Sequence, residues 1–189
     1  MFSPAEWALR LQGHQPSWET LSDTSGLVPA AVLIPLFFRA QEPWVLLTER
    51  THRVSHHKGQ IAFPGGKFEA LRDPDLAATA LRESEEEVGL KPRDVRVLGA
   101  MQPMPTFTGF HVHPFVAEIP AYYCFEPNPA EIETLIEVPL AHLQDTRFRR
   151  CEQRHWQGRD YPVYYFEYQR FTIWGITGHL LYDFLNVII

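Results

Sequence analysis

Cysteine is scarce in this chain of 189 residues, and its placement excludes several kinds of site. Cys124 and Cys151 stand far apart without CxxC spacing, so the sequence predicts neither a disulfide framework nor a cysteine metal site. A reducing, cytoplasmic setting is therefore expected. The first residues lack a basic flank followed by an apolar stretch, which indicates no secretory signal.

Long apolar runs and positive charge are also scarce. The longest apolar run, 30–38, is too short to span a bilayer and contains Pro35, so no membrane association is expected. The formal net charge is −6, which disfavours non-specific binding of nucleic acid but leaves room for a local basic funnel toward an anionic substrate. The oligomeric state stays open.

The remaining composition is that of an ordinary globular protein, with 45% hydrophobic and 13% aromatic residues. Without a repeat or a linker, the length predicts one domain over 1–189. The segment 3–6, Ser-Pro-Ala-Glu, has the pattern of a capping box and predicts a short helix through about Leu11. Residues 1–29 are accordingly expected to form a helical arm and loop.

Apolar stretches predict the strands of a sheet. Residues 30–38 are almost continuously apolar, which is typical of a central strand covered on both faces, and 44–49 form its expected partner across a turn at 41–43. Apolar residues at helical spacing predict a helix over 174–185 that covers the second face of the sheet. Further strands are expected at 95–101 and 111–118, and a hairpin at 148–154 and 161–168.

The stretch 59–90 joins a glycine-rich turn to an acidic helix. The segment 73–75 is expected to open the helix, since Asp suits the cap and Pro the first turn, and Gly89 closes it. The segment 64–66, Pro-Gly-Gly, lets the backbone turn sharply and approach a ligand closely. Small or apolar side chains share one stripe that suits packing on a sheet: Ala77, Leu81, Ser84 and Val88.

Three carboxylates crowd a neighbouring stripe of this helix: Glu83, Glu86 and Glu87. Like charges at that spacing oppose helix formation by a few tenths of a kcal/mol per pair. The pattern therefore favours a divalent cation that joins the carboxylates, and oxygen ligands suit Mg²⁺ or Mn²⁺. Arg82, one turn before Glu86, is expected to hold that carboxylate by a bidentate contact. The alternative is a merely solvated acidic face.

This combination resembles the box of the Nudix hydrolase family, G-x5-E-x7-R-E-U-x-E-E-x-G-U, where U is a bulky aliphatic residue. Its second half matches residues 82–90, R-E-S-E-E-E-V-G-L. The resemblance implies an α/β/α sandwich with a mixed central sheet, and it implies metal binding by Glu83, Glu86 and Glu87.

The box departs from the family pattern in two places. Ser84 occupies a U position, and the segment between Gly66 and Arg82 is two residues longer than the pattern allows. The position of the first Glu consequently falls on Arg72 or on Pro74. Asp73 or Asp75 is the only nearby acidic substitute, and no role is assigned to that position from the sequence.

Three further segments resemble the coenzyme A pyrophosphatase subgroup. They are 46–51 (LLTERT), 57–67 (HKGQIAFPGGK) and 173–178 (IWGITG). In that subgroup an Arg usually stands two residues before the His, whereas this chain has Ser55. The resemblance implies substrate contacts from Arg50, Arg53, His57, Lys58, Gln60, Gly65, Gly66 and Lys67.

A catalytic base in Nudix enzymes often lies outside the box. Glu131, Glu133 and Glu137 alternate along an extended segment and are expected on one side of it. Glu131 resembles an acidic position of the coenzyme A subgroup, which makes it a candidate base or metal support. For Glu133 and Glu137 a solvated strand edge is a sufficient explanation.

The resulting expectation is metal-dependent hydrolysis of coenzyme A or acyl-coenzyme A to adenosine 3′,5′-bisphosphate and a phosphopantetheine. One alternative is a Nudix enzyme for ADP-ribose or another nucleoside diphosphate derivative, and another is a binding module without turnover. Phe107 and Phe110, which flank Gly109, are either adenine-stacking residues or ordinary loop anchors.

Overall fold

A long apolar strand, β1 (Val28–Arg39), lies in the middle of the protein. The computed structural model describes residues 3–12, 24–51, 59–156 and 158–188. Along β1, Leu33 and Phe37 point into one buried cluster, whereas Ile34 and Leu36 point into the other. The prediction of a central strand covered on both faces is therefore confirmed.

Eleven strands and four α-helices are found in the described residues. The other strands are β2 (Glu42–Arg50), β3 (Ile61–Ala62), β4 (Gly65–Lys67), β5 (Arg96–Ala100), β6 (Met104–Pro105), β7 (Phe110–Glu118), β8 (Ile132–Pro139), β9 (Arg149–Trp156), β10 (Arg159–Tyr168) and β11 (Phe171–Ile173). The helices are α1 (Pro4–Gln12), α2 (Leu76–Val88), α3 (Leu140–Gln144) and α4 (Gly175–Ile188). None of these helices is long and apolar enough to cross a membrane.

The main sheet is mixed and has eight strands, with the core order β3-β2-β1-β7-β5. Strands β1 and β7 run parallel, with Ala30 opposite Val112, and the other described pairings are antiparallel. Strand β4 pairs with the first half of β1, and β8 pairs with β2. This arrangement brings the glycine-rich turn against the centre of the sheet.

Helices cover both faces of this sheet. Ala80 and Val88 of α2 pack into the cluster that contains Leu33, whereas Leu180 and Phe184 of α4 pack into the opposite one. Helix α1 joins α4 on the second face, where Trp7 stacks on Phe38 at 5.3 Å between ring centroids. The expected α/β/α sandwich is confirmed.

Two connections between the predicted strands differ from the sequence expectation. The β1–β2 hairpin turns at Ala40 and Gln41, both with positive φ, so that Glu42 and Pro43 belong to β2 and not to the turn. After the strand predicted at 95–101, Met104 and Pro105 form a further short strand, β6, against β7, which the sequence did not predict. The β1–β2 turn has no glycine at its positive-φ positions, whereas the turn between β6 and β7 has Gly109 with positive φ.

The predicted opening of the acidic helix is displaced by a few residues. Asp75 is the N-cap and its carboxylate accepts a hydrogen bond from the Ala78 amide at 2.8 Å. Asp73 is turned into the protein and is buried. Gly89 closes the helix in the left-handed conformation, as expected.

The C-terminal part of the chain forms a second sheet and not merely a hairpin. Strands β9, β10 and β11 pair in the order β11-β10-β9. Helix α4 packs against β10, and Tyr164 stacks on Tyr182 at 3.8 Å. His179, in the same helix, is buried beside Tyr164, and burial lowers the pKa of its imidazole to about 4.

One hydrogen bond joins α4 to the main sheet. The buried Thr177 hydroxyl donates to the Ile61 carbonyl at 2.9 Å. Replacement of Thr177 by Val keeps the shape but leaves the carbonyl unsatisfied. We expect the free energy of unfolding to fall by about 1–3 kcal/mol, measured by urea denaturation.

The matched control is Thr172→Val, because the Thr172 hydroxyl donates to an exposed carboxylate, Glu167. This change is expected to cost less than about 0.5 kcal/mol. Equal losses in the two variants would contradict the role given to the Thr177 bond.

Candidate active site

The glycine-rich turn fits tightly between β1 and α2. A Cβ atom on Gly65 would lie 2.3 Å from the Ala31 carbonyl oxygen, and one on Gly66 would lie 2.4 Å from the carboxyl carbon of Glu83. At Gly65 the obstacle is backbone, so this position requires glycine. At Gly66 the obstacle is the carboxyl end of Glu83, so a side chain there would displace that carboxylate. The turn therefore brings backbone directly against the acidic helix.

Glu87 is the most deeply buried acid of this helix, with 2% of its surface exposed. Its carboxylate accepts hydrogen bonds from the Arg50 guanidinium at 2.8 Å and from the Gly65 amide at 3.1 Å. Burial raises the pKa of Glu87 to about 7, opposed by these two donors and reinforced by the nearby carboxylates of Glu83 and Glu131.

Arg50, at the end of β2, lies between two carboxylates. Besides Glu87 it contacts Glu131 at 3.6 Å, and Glu131 also accepts a hydrogen bond from Asn128 at 3.2 Å. Arg50 thus brings Glu131, an acid outside the box, close to Glu87. The role of Glu131 as base or metal support stays a prediction.

Glu133 and Glu137, the other two acids of that segment, lie in different surroundings. Glu137 pairs with Arg39, and Glu133 is exposed. Arg39 itself lies over the Phe37 and Trp44 rings, on the side of the sheet that α2 covers. The register between β2 and β8 shifts between Glu49 and Arg50. That all three acids share one side stays a prediction.

Arg82 binds a residue that the sequence left unassigned. Its guanidinium donates to both oxygens of Asp73, at 2.7 and 3.0 Å, and to single oxygens of Glu83 at 2.8 Å and Glu86 at 3.0 Å. The expected bidentate contact to Glu86 is thus wrong, since the bidentate partner is Asp73. The Arg82 guanidinium holds the pKa of the Asp73 carboxyl well below its usual range.

Glu83 and Glu86 form the acidic ridge of α2 together with Glu87, and the two lie in different environments. Glu86 is exposed and pairs with Arg72 at 2.5 Å as well as with Arg82. Glu83 is half-buried, and burial raises the pKa of its carboxyl, opposed by Arg82 and reinforced by the neighbouring acids. Arg72 lies in the loop that is two residues longer than the family pattern, and its guanidinium places a positive charge beside the ridge.

A cleft of about 570 Å³ opens beside this ridge. Its lining includes Arg50, Gly65 and Glu131. Trp174 and Thr177, at the beginning of α4, also line it. The remaining lining is mostly apolar: Val32, Ile61, Ala62, Phe63, Phe110, Val112, Gly175 and Ile176, with the polar Gln60, Thr106 and Thr108.

A family model for the NUDIX domain matches residues 27–160 of this chain. The chain belongs to the Nudix family. An uncharacterized Nudix hydrolase, NudL of Yersinia pestis (strain Pestoides F), is 40% identical over 152 residues, which cover 80% of this chain and 75% of the relative.

Solved Nudix structures share the fold. A Nudix hydrolase from M. smegmatis, RenU, has a TM-score of 0.53 at 22% identity, covering 62% of this chain and 74% of that one. An Ap4A hydrolase from C. elegans has a TM-score of 0.51 at 17% identity, covering 59% and 80%. The protein is a pyrophosphohydrolase of this family, whose members act on nucleoside diphosphate derivatives.

Nudix hydrolases generally use divalent metals such as Mg²⁺ or Mn²⁺. Within the described ranges, no three His, Cys, Asp or Glu side chains stand in a metal-binding arrangement. Glu83, Glu86 and Glu87 are each bound to an arginine. The donor set nevertheless fits such an ion, since burial and, to a smaller extent, neighbouring acids raise the pKa of Glu83 and Glu87 and oxygen is the preferred ligand atom.

The other residues that were predicted to contact the substrate lie in different parts of the structure. Gln60 and Gly65 line the cleft, whereas Gly66 adjoins Glu83. Lys67 lies with its ammonium 5.6 Å from the centre of the Phe110 ring, and its carbonyl accepts a hydrogen bond from Arg82. Arg53, His57 and Lys58, together with Ser55, lie outside the described residues.

Asp73 is a site residue to which sequence reasoning gave no role, although it named Asp73 or Asp75 as a substitute for the first Glu of the box. The available signal was its position nine residues before Arg82, in a loop that is two residues longer than the family pattern. The side chain also accepts hydrogen bonds from the Glu69 amide and the Thr79 hydroxyl, both at 2.9 Å. Asp73 therefore anchors the loop and the arginine together.

Replacement of Asp73 by Asn should destabilise the protein by about 3 kcal/mol or more, because it leaves a buried half of an ion pair unmatched. Since the folded pKa of Asp73 is depressed, the lost stability is present above the ordinary carboxyl range and fades in acid. The measurement is urea denaturation at pH 7 and at pH 3. Glu69→Gln, an exposed acid of the same loop, is the control and should cost less than about 0.5 kcal/mol.

The contribution of Glu87 to stability depends on pH in the opposite direction. Because its folded pKa of about 7 exceeds the ordinary 4.5, metal-free protein should lose stability as the pH rises between those values. In EDTA at pH 8, Glu87→Gln should be more stable than wild type by up to about 3 kcal/mol, whereas Glu85→Gln should change little. A less stable Glu87→Gln protein would show that pairing with Arg50 outweighs burial.

Proposed function

We propose that this Nudix enzyme hydrolyses the diphosphate of coenzyme A or of its acyl derivatives. The products are adenosine 3′,5′-bisphosphate and 4′-phosphopantetheine, with or without the acyl group. Water attacks one phosphorus, the bridging P–O bond breaks, and the leaving phosphate takes up the charge.

The main support is the meeting of two segments that resemble the coenzyme A subgroup. Thr177 and Ile61, 116 residues apart, are joined by a hydrogen bond at the cleft. The first lies in the WGIT segment and the second in the GQIAFPGGK segment. Two sequence signatures of one substrate class therefore line one cavity next to the acidic ridge.

We assign metal binding to Glu83, Glu86 and Glu87, whose oxygens suit Mg²⁺ or Mn²⁺. A divalent cation bound there supplies charge neutralisation of the diphosphate and of the leaving oxygen. Arg82 keeps Glu83 and Glu86 in place, and Asp73 keeps Arg82 in place. The raised pKa of Glu83 and Glu87 explains why these carboxylates gain from a cation.

Glu131 is the candidate general base or metal support of this proposal. It lies at the cleft beside Arg50 and is partly exposed to solvent, so it can accept a proton from a water near the substrate. Arg50 orients Glu131 and Glu87 at once. Substrate contacts from Gln60, Gly65, Gly66, Lys67, Arg53, His57 and Lys58 remain part of the proposal.

The proposal extends to the whole chain, 1–189, as one domain, because α1 and α4 pack together over the second face of the main sheet. It also includes a cytoplasmic location. There the exposed free thiols of Cys124 and Cys151 would stay reduced.

A substrate panel with Mg²⁺ and with Mn²⁺ tests the assignment, with products identified by mass. We expect kcat/KM for coenzyme A to exceed that for 3′-dephospho-coenzyme A and for ADP-ribose, since the proposal assigns a basic pocket for the 3′-phosphate to Arg50, Arg53 and Lys58. Equal turnover of coenzyme A and its dephospho form would overturn the choice of substrate in favour of a broader nucleoside diphosphate hydrolase.

Glu86→Gln removes one charge with little change of shape. We expect kcat to fall by roughly two decades or more, in line with the loss of one electrostatic contact in the transition state. Glu85→Gln is the matched control, because Glu85 is equally exposed on the same helix and pairs with Lys91. An unchanged kcat in Glu86→Gln would exclude this residue from metal binding.

A further inference from the structure

A second cleft, of about 600 Å³, adjoins the first one. Its floor is formed by Tyr161, Val163 and Tyr165 of β10, and Trp174 borders both clefts. Phe107 stands at its edge in contact with the Tyr161 ring, at 5.4 Å between centroids. The two clefts are therefore continuous around one tryptophan.

The second cleft has an apolar, aromatic lining. Large aromatic side chains there are unusually open, since Phe107 is 65% and Trp174 is 51% exposed. The basic groups at its rim already have acidic partners, with Arg154 at 2.8 Å from Glu152 and His155 at 2.8 Å from Asp160. This chemistry suits an uncharged apolar group better than a phosphate.

The position of the second cleft limits what can reach it. Arg50, Gly65 and Glu131 line the first cleft but not the second, whereas Trp174 lines both. A substrate whose diphosphate lies beside Arg50 and Glu131 therefore reaches the second cleft by way of the first. In an adenosine only the ribose separates phosphate from base, whereas a pantetheine arm is a long chain.

We propose that the second cleft binds the acyl group of an acyl-coenzyme A thioester, with the pantetheine arm in the first cleft. This inference rests on the proposed function. Gln60, Thr106 and Thr108 offer polar partners for the two amides of the arm. The aromatic face of Phe107, Trp174 and β10 then contacts the acyl chain beyond the sulfur.

Steady-state kinetics of the whole chain with Mg²⁺ test the proposal, with coenzyme A and its acetyl, butyryl, hexanoyl and octanoyl thioesters as substrates. In wild type we expect kcat/KM to rise about two- to fourfold for each added methylene until the cleft is full. Phe107→Ser and Val163→Asp should each lower the ratio of kcat/KM for octanoyl-coenzyme A to that for coenzyme A by about tenfold.

Tyr122→Ser is the matched control, because Tyr122 is an aromatic residue with 82% exposure outside both clefts. Its ratio should equal that of wild type. Circular dichroism melts of all three variants show whether they are folded, and a ratio lowered in either folded cleft variant supports the inference.

The outcomes separate this inference from the proposed function. If wild type cleaves coenzyme A but is indifferent to acyl length, the acyl site is overturned and the function stands. If Phe107→Ser lowers turnover of coenzyme A and octanoyl-coenzyme A equally, the adenosine half occupies this cleft and the inference is likewise overturned. If ADP-ribose is cleaved and coenzyme A is not, both fail.

Discussion

The burial of one carboxylate constrains the whole site. Glu87 is almost fully covered, and removal of an ion from water costs several kcal/mol unless partners compensate. One guanidinium and one backbone amide, from Arg50 and Gly65, compensate for part of this cost. The end of β2, the glycine-rich turn and helix α2 must therefore meet at this point, and β1 provides the surface on which Gly65 can lie.

A second ion network compensates for the departure from the family pattern. The longer loop displaces the first acid of the box, yet Asp73 still reaches Arg82 with both oxygens because the loop folds inward before Asp75 starts the helix. Ser84, the other departure, is buried and bonds to the carbonyl one turn earlier, at Ala80. Neither change disturbs the ridge that carries Glu83 and Glu86.

Much of this structure could be predicted from the sequence because its strongest signals are local. Continuous apolarity identified β1, helical spacing identified α4, and the spacing of the box identified the acidic ridge. The arginine partners could not be predicted, since Arg72 and Asp73 reach the ridge through a loop whose path depends on tertiary contacts. The turn at Ala40 and Gln41 lacks glycine, and β11 has three residues, too few for a periodic pattern.

Much of the cleft lining comes from outside the box that carries the acidic ridge. Helix α4 lies flush on the second sheet, because a Cβ atom on Gly178 would stand 2.3 Å from the Tyr164 carbonyl oxygen. The same helix is held to β3 through Thr177 and carries Trp174 at its start. A shift of α4 that widened one cleft would break the hydrogen bond from Thr177 to the Ile61 carbonyl or press Gly178 into β10. Packing therefore determines the distance from the acidic ridge to the aromatic face. In the proposed function, this fixed distance limits the length of the substrate. Discrimination between substrates is then assigned to α4, β10 and the Phe107 loop, and hydrolysis to the acidic ridge of α2.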